Sequence, residues 1–293
     1  MTRLEGLVRE IRSAAAGLLH SRHLELFIGY RKAGFPLRTR PVFLTRAEGA
    51  GKLVWSSFCS VNLAVYLPRL GPGEALPGFV PGAGSRVGIV AKPCDARSVA
   101  TLVRDGQVAG ERVFLVVASC PGVLDRRRVE AVLGGKEALG AGEDDGGDLR
   151  VVVEDGTEVR LARAALEAES CRACDDRAPG PADLAIDLPE GTTRTSSVPP
   201  ALMMPRPPEG GSLGISRCIV CRACERMCPR CAARSAATGG AELSPATPEA
   251  YHDLRAQLIA SGCTSCGACV RLCPVGIDPR SLQGPEHRPA EGA

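Results

Sequence analysis

Aromatic side chains make up only 3% of this 293-residue chain, and net charge is close to balance at +3. An extended nucleic-acid surface needs basic excess and stacking rings, so that class of function is excluded. Long apolar runs are also lacking: no stretch approaches the roughly 20 residues that span a bilayer. The first residues, "MTRLEGLVREIRSAAAGLLH", have neither the continuous apolar centre nor the cleavage site of a signal peptide. They carry Glu5 and Glu10, and place Leu4, Leu7, Val8, Ile11 and Leu18 near one face of an amphipathic helix. Histidine is sparse, and His20, His23, His252 and His287 share no ligand spacing. Ser56, Ser57 and Ser119 lack the His/Asp partners of acyl transfer. No G-x-G-x-x-G fingerprint is present, and "GPGEALPGFVPGAG" (71–84) is too proline-broken to cradle a phosphate.

Cysteine, by contrast, is abundant, with 14 copies. In a chain without an export signal these point to metal ligation in a reducing cytoplasm rather than to disulfides. Their distribution is uneven. Cys218, Cys221, Cys224 and Cys228-Pro229 follow C-x2-C-x2-C-x3-C-P, and Cys263, Cys266, Cys269 and Cys273-Pro274 repeat it. Two complete copies with the trailing proline specify a bacterial-type ferredoxin module holding two 4Fe–4S clusters, in which the fourth cysteine of each run ligates the other cluster. The ligand sets are therefore Cys218, Cys221, Cys224 and Cys273 for one cluster, and Cys263, Cys266, Cys269 and Cys228 for the second. Cys231 is a fifth cysteine beside the first run, open to two readings: a small packed residue, or an alternative ligand for cluster conversion or redox sensing. Arg217, Arg222, Arg226, Arg230, Arg234 and Arg271 crowd the runs. Cations there would raise cluster potentials or dock an acidic partner.

Residues 1–189 read as an α/β domain. "PVFLT" (41–45), "KLVWSS" (52–57), "RVGIVA" (86–91) and "RVFLVVAS" (112–119) are strand candidates. "SVNLAVYLPRL" (60–70) and "DARSVATLVRDG" (95–106) are helix candidates, the second capped by Asp95 and Gly106. Strand, helix and strand over 86–119 make a parallel βαβ unit, whose strand-end loops are the usual place for a site. An acidic loop (134–148), a hairpin about Asp155-Gly156 (149–161) and a helix (162–170) complete the domain. A Pro/Gly-rich linker (190–212) leads to the small ferredoxin-like α+β domain (213–280), and 281–293 is a flexible tail.

Four further cysteines lie in the first domain: Cys94 and Cys120 directly after strands, and Cys171 and Cys174 in a C-x2-C pair after a helix. If they converge they form a third site; a zinc site or unrelated core cysteines are the other readings of the same spacing. Cys59 is isolated and reads as core. The motifs "AKPCDARSV", "VVASCPG" and "CRACDDRAPGPADLAID" resemble the three cysteine-bearing segments of the coenzyme F420-reducing hydrogenase and dehydrogenase beta-subunit family. Ala182, Asp183, Leu184, Ala185 and Ile186 match its "A-D-hydrophobic" stretch. The resemblance covers roughly 86–187, plus the general layout of 24–85. It implies that Cys94, Cys120, Cys171 and Cys174 hold a third 4Fe–4S cluster. Members of that family are iron–sulfur flavoproteins, so it also implies FAD, with Lys92 and Asp95 as the residues to contact a flavin or an anionic substrate. On the residues alone, Lys92 is a surface charge and Asp95 an N-cap.

The family core usually continues past the C-x2-C segment, whereas here the linker begins by residue 190. The expectation is therefore a redox subunit: a three-cluster relay within an anaerobic oxidoreductase complex of the hydrogenase, formate dehydrogenase or heterodisulfide reductase kind. Its partners would be other redox subunits or a soluble electron carrier. A self-contained FAD enzyme acting on coenzyme F420 is the alternative, and a zinc-stabilised scaffold the alternative from another class.

Overall fold

The structure, a computed structural model, describes residues 2–70, 76–82, 84–172, 174, 176–188, 214–237, 247–260 and 262–279. The linker at 190–212 and the tail at 281–293 lie outside the described residues. So do residues 71–75 and 83 of the proline-broken turn at 71–84.

Helix α1 (Arg3–His20) starts at a capping box: Thr2 Oγ1 accepts from Glu5 N, and Thr2 N donates to Glu5 Oε2. Its buried stripe is Leu7, Ile11, Ala15 and Leu19, with Leu4, Val8 and Leu18 packed at the margins. Strands β1 (Leu26–Lys32), β2 (Thr39–Leu44), β3 (Val87–Ala91) and β4 (Val113–Ala118) form most of the main sheet. Helix α2 (Pro93–Arg104) crosses between β3 and β4, which pair in parallel as the βαβ reading expects. β1 went unrecognised in the sequence. It lies inside the sheet, antiparallel to β2 and parallel to β3. Gly29 in β1 is needed there, because a Cβ would run into the Leu53 side chain.

Several local expectations give way to packing. The stretch 52–57 is not a strand: it meets β1 where Val54 N donates to Tyr30 O at 2.9 Å, and Leu53 and Trp55 are spent as core residues instead. Residues Leu63–Leu70, expected as an α-helix, wind as 3-10 turns with Pro68 inside them. After α3 (Arg126–Leu133), the acidic loop contains strand β5 (Ala138–Glu143). β5 joins β6 (Leu149–Val153) and β7 (Glu158–Leu161) in a second, antiparallel sheet, with the expected hairpin between β6 and β7. The expected helix at 162–170 is two short ones, α4 (Arg163–Leu166) and α5 (Glu169–Arg172), parted where Glu167 bridges to Leu124. Strand β8 (Leu184–Ile186) then adds in parallel to β4, giving the order β2-β1-β3-β4-β8.

The C-terminal region is helical: α6 (Ala223–Arg226), α7 (Pro229–Ala237), α8 (Pro248–Ala260) and α9 (Ala268–Leu272). Among its described residues there is no strand, where an α+β module was expected.

This region docks on the α/β part through polar contacts. Ser98 Oγ and Thr264 Oγ1 share a hydrogen bond of 2.7 Å, Arg230 pairs with Asp105, and Arg127 Nη1 donates to Cys273 O at 3.1 Å. Arg271 is the most connected: it donates to Ser60 O at 2.9 Å, to Cys266 O at 2.7 Å and to Ser170 Oγ at 3.3 Å.

Candidate metal centres

The two C-x2-C-x2-C runs fold into the same loop twice. Val220 and Ser265, each two residues after the first cysteine of its run, have φ of 49° and 52°. Arg222 and Gly267, each directly after the second cysteine, have φ of 62° and 68°. A β-branched residue such as Val220 in the left-handed region is strained, and strain of this kind persists where a bound group demands the geometry. Each loop then runs into a short helix, α6 or α9, that carries the third cysteine. Backbone N–H groups turn toward sulfur: Val220 N donates to Cys218 Sγ at 3.4 Å, and Ile277 N to Cys273 Sγ at 3.3 Å.

Each loop closes a cavity with the last cysteine of the other run. Cys218, Cys221, Cys224 and Cys273 line one of about 340 Å³. Cys228, Cys263, Cys266 and Cys269 line a second of about 470 Å³. Among the described residues, no three His, Cys, Asp or Glu side chains meet closely enough to hold a single metal ion. The sulfurs line a volume instead, which is the arrangement a multi-atom cluster needs.

A third cavity, about 400 Å³, lies between the two parts of the chain and brings together Cys94, Cys120, Cys171 and Cys174. Cys94 opens α2 at the end of β3, and Cys120 follows β4 on the same side of the sheet. Gly122 N donates to Cys120 Sγ and Val123 N to Cys171 Sγ, both at 3.4 Å. Arg177, which the sequence did not single out, holds the C-x2-C segment by donating to the carbonyls of Cys171 and Cys174 while pairing with buried Glu167 at 3.0 Å. Ser265, Cys266 and Arg271 form the far wall, so Cys266 lines this cavity and its neighbour alike.

Lys92 and Asp95 are neither a surface charge nor an N-cap. The N-cap of α2 is Lys92 itself, through its backbone, and Asp95 sits inside the first turn. Their side chains are 2% and 0% exposed and pair at 2.5 Å. Lys92 Nζ also donates to Tyr30 Oη at 2.6 Å and Val61 O at 2.9 Å. Burial disfavours the Lys92 charge, but Asp95 and Tyr30 outweigh it and raise its pKa well above the usual value. Lys92 reaches the wall of the third cavity, and Asp95 is engaged with Lys92. As a free thiol Cys94 is pushed well up by burial and by Asp95, and Cys120 is raised by burial. Ligation would displace those protons.

Helix α8, between the two cysteine runs, supplies residues that spacing could not reveal. Tyr251 Oη lies 3.3 Å from Cys224 Sγ, and His252 lines the same cavity with 2% exposure. Arg255, fully buried, lines the cavity of Cys228, Cys263, Cys266 and Cys269. Burial disfavours its charge, and the thiolates of Cys224, Cys231, Cys228 and Cys269 more than restore it. Both ring nitrogens of His252 and all three guanidinium nitrogens of Arg255 lack a hydrogen-bond partner among the described residues. Orphaned buried donors facing cysteine-lined cavities fit an anionic group with sulfur acceptors.

Comparison with known proteins agrees with this donor set. Residues 214–277 match the model of the 4Fe–4S dicluster domain, and residues 84–198 that of the coenzyme F420 hydrogenase/dehydrogenase beta subunit, C terminus. The chain is an iron–sulfur protein like the coenzyme F420 hydrogenase/dehydrogenase beta subunits. Among solved structures, a chain of the F420-reducing [NiFe] hydrogenase complex from Methanosarcina barkeri aligns at 15% identity and a TM-score of 0.43. That alignment covers 62% of this chain and 65% of the other. No curated protein matches the chain significantly. Among the described residues, no helix of this iron–sulfur protein is long and apolar enough to cross a membrane.

Two cysteines stand apart from the cavity walls. Cys59 is 1% exposed in the main core, and burial pushes its thiol up to about 11. Cys231, 4% exposed on α7, is hydrogen-bonded to Cys228, which lowers the Cys228 thiol below its usual value.

Proposed function

We propose that this chain is an electron-transfer subunit of a multi-subunit anaerobic oxidoreductase, related to hydrogenase, formate dehydrogenase or heterodisulfide reductase systems, and that it holds three 4Fe–4S clusters in a row. The observation that carries this reading is the set of three cavities, two walled by four cysteines each and the third by Cys94, Cys120, Cys171 and Cys174 together with Cys266, which it shares with its neighbour. Cys218, Cys221, Cys224 and Cys273 would hold one cluster, Cys263, Cys266, Cys269 and Cys228 the second, and Cys94, Cys120, Cys171 and Cys174 the third. The clusters supply one-electron carriage, while the protein sets distance, orientation and potential.

The chain's own residues do that positioning. The crossed fourth cysteines, Cys228 and Cys273, tie the first two sites into one unit. Arg271 ties that unit to the third through Ser60, Ser170 and Cys266. Lys92 brings a buried cation to the third cavity, offset by Asp95. Cys221 is the exposed cysteine of the set and makes its site the end that faces a partner. A carrier of the coenzyme F420 type, or another redox subunit, is the partner class that the beta-subunit likeness supports.

The test is the iron, sulfide, zinc and flavin content of anaerobically purified protein. About twelve irons without zinc or flavin is the expected result. Only about eight irons would leave the third set of cysteines without its proposed role. About twelve irons together with one flavin would turn the reading to a hydride-transferring flavoenzyme, to be assayed with coenzyme F420. Several zinc ions and no iron would make the chain a scaffold.

A further inference from the structure

Arg255 is 0% exposed, and its guanidinium forms no hydrogen bond and no ion pair among the described residues. A guanidinium does not give up its proton inside a protein, and an uncompensated buried charge is strongly destabilising. Something anionic must therefore meet it. It reaches from α8 into the wall of the cavity that Cys228, Cys263, Cys266 and Cys269 surround. Four residues before it on the same face of α8, Tyr251 lies 3.3 Å from Cys224 of the neighbouring cavity. The charge thus lies where the two ferredoxin-type sites adjoin. It is absent from the wall of the third cavity, where Lys92 is the buried cation and Arg271 a half-buried one.

We propose that Arg255 is the fixed counter-charge of the two ferredoxin-type sites, and that it holds their reduction potentials above the values their cysteines alone would set. The inference rests on the cluster reading above. A thiolate-ligated cluster gains one unit of negative charge on taking up an electron. A cation fixed beside it stabilises the reduced form more than the oxidised one, and N–H donors to its sulfurs act in the same direction. Surface arginines near the runs, such as Arg217, are screened by water; Arg255 is not.

The experiment is an EPR-monitored redox titration of the full chain, purified anaerobically as wild type, Arg255→Met and Arg255→Lys, with iron and sulfide measured first. In Arg255→Met the reduced-to-oxidised ratio of the ferredoxin pair should fall at least tenfold at a fixed potential, which is 59 mV for a one-electron couple. Arg255→Lys should stay close to wild type, and the third site should not move. Loss of iron in Arg255→Met with retention in Arg255→Lys would also support the proposal, since assembly would then need the charge. Unchanged midpoints in an iron-replete Arg255→Met protein would overturn it. So would equal shifts at all three sites, or equal loss of iron in both variants. Wild-type protein with well under about eight irons would remove the cluster reading itself, before any variant is compared.

Discussion

Gly267 and Ser170 come so close that a Cβ on Gly267 would overlap the Ser170 side chain. This is where the second cysteine loop lies against the α/β part, and it explains why the two loops differ at one matched position. The first loop carries Arg222 in the same left-handed conformation, with φ of 62° against 68° for Gly267. Gly267→Ala should cost about 1–2 kcal/mol from the backbone alone, and more from the clash. Limited proteolysis in the linker should accelerate. Adding Ser170→Gly should recover part of the loss; no recovery would mean that the close approach is not what Gly267 serves.

Cys171→Ala is the direct test of the third site. Iron content should drop by about four while the EPR signal of the ferredoxin pair persists. Unchanged iron would end the three-cluster reading, because Cys171 lines the third cavity and neither of the other two.

Cys231→Ala should leave iron unchanged if this buried thiol acts only as a packed neighbour of Cys228. Holoprotein treated with a thiol reagent at pH 8 should show almost no reactive cysteine, since Cys59 and Cys231 are 1% and 4% exposed. Denaturation with chelator should reveal all 14. A loss of about four irons in Cys231→Ala would promote that residue to a ligand.

Arg163 and Glu143 pair at 2.8 Å with side chains 7% and 5% exposed. Arg163 also donates to the carbonyls of Pro121 and Gly122, directly after Cys120, and Glu143 Oε2 accepts from Ser57 Oγ at 2.6 Å. Arg163→Met leaves the carboxylate buried and unpaired, a change that typically costs about 3–5 kcal/mol. The Cys120 loop should loosen with it, so iron loss on mild heating should begin at the third site, with the ferredoxin pair retained longer. Simultaneous loss from all three sites would show that the ion pair supports the whole fold and not that loop.

The βαβ unit over 86–118 was legible because apolar runs and a helix alternate there with clear glycine and charge breaks. β1 was not: Leu26–Lys32 passes from apolar to basic without alternation, and only its place between β2 and β3 makes it a central strand. Glu143, inside an acidic stretch that reads as solvated, became a buried ion-pair member because Arg163, 20 residues on, folds back onto it.

The sequence by itself determined the metal chemistry of the two runs. Cysteine spacing is local, and a loop that must curl around a cluster writes its geometry into the twelve consecutive residues of each run. It could not decide the burial of Lys92, Asp95 and Arg255, or the shared wall at Cys266. Those depend on which surfaces meet when the helical region docks on the sheet, and contacts between distant segments leave no spacing to read. The same charged side chain is a solvated surface group or a buried counter-ion according to that docking, and only the tertiary structure shows which.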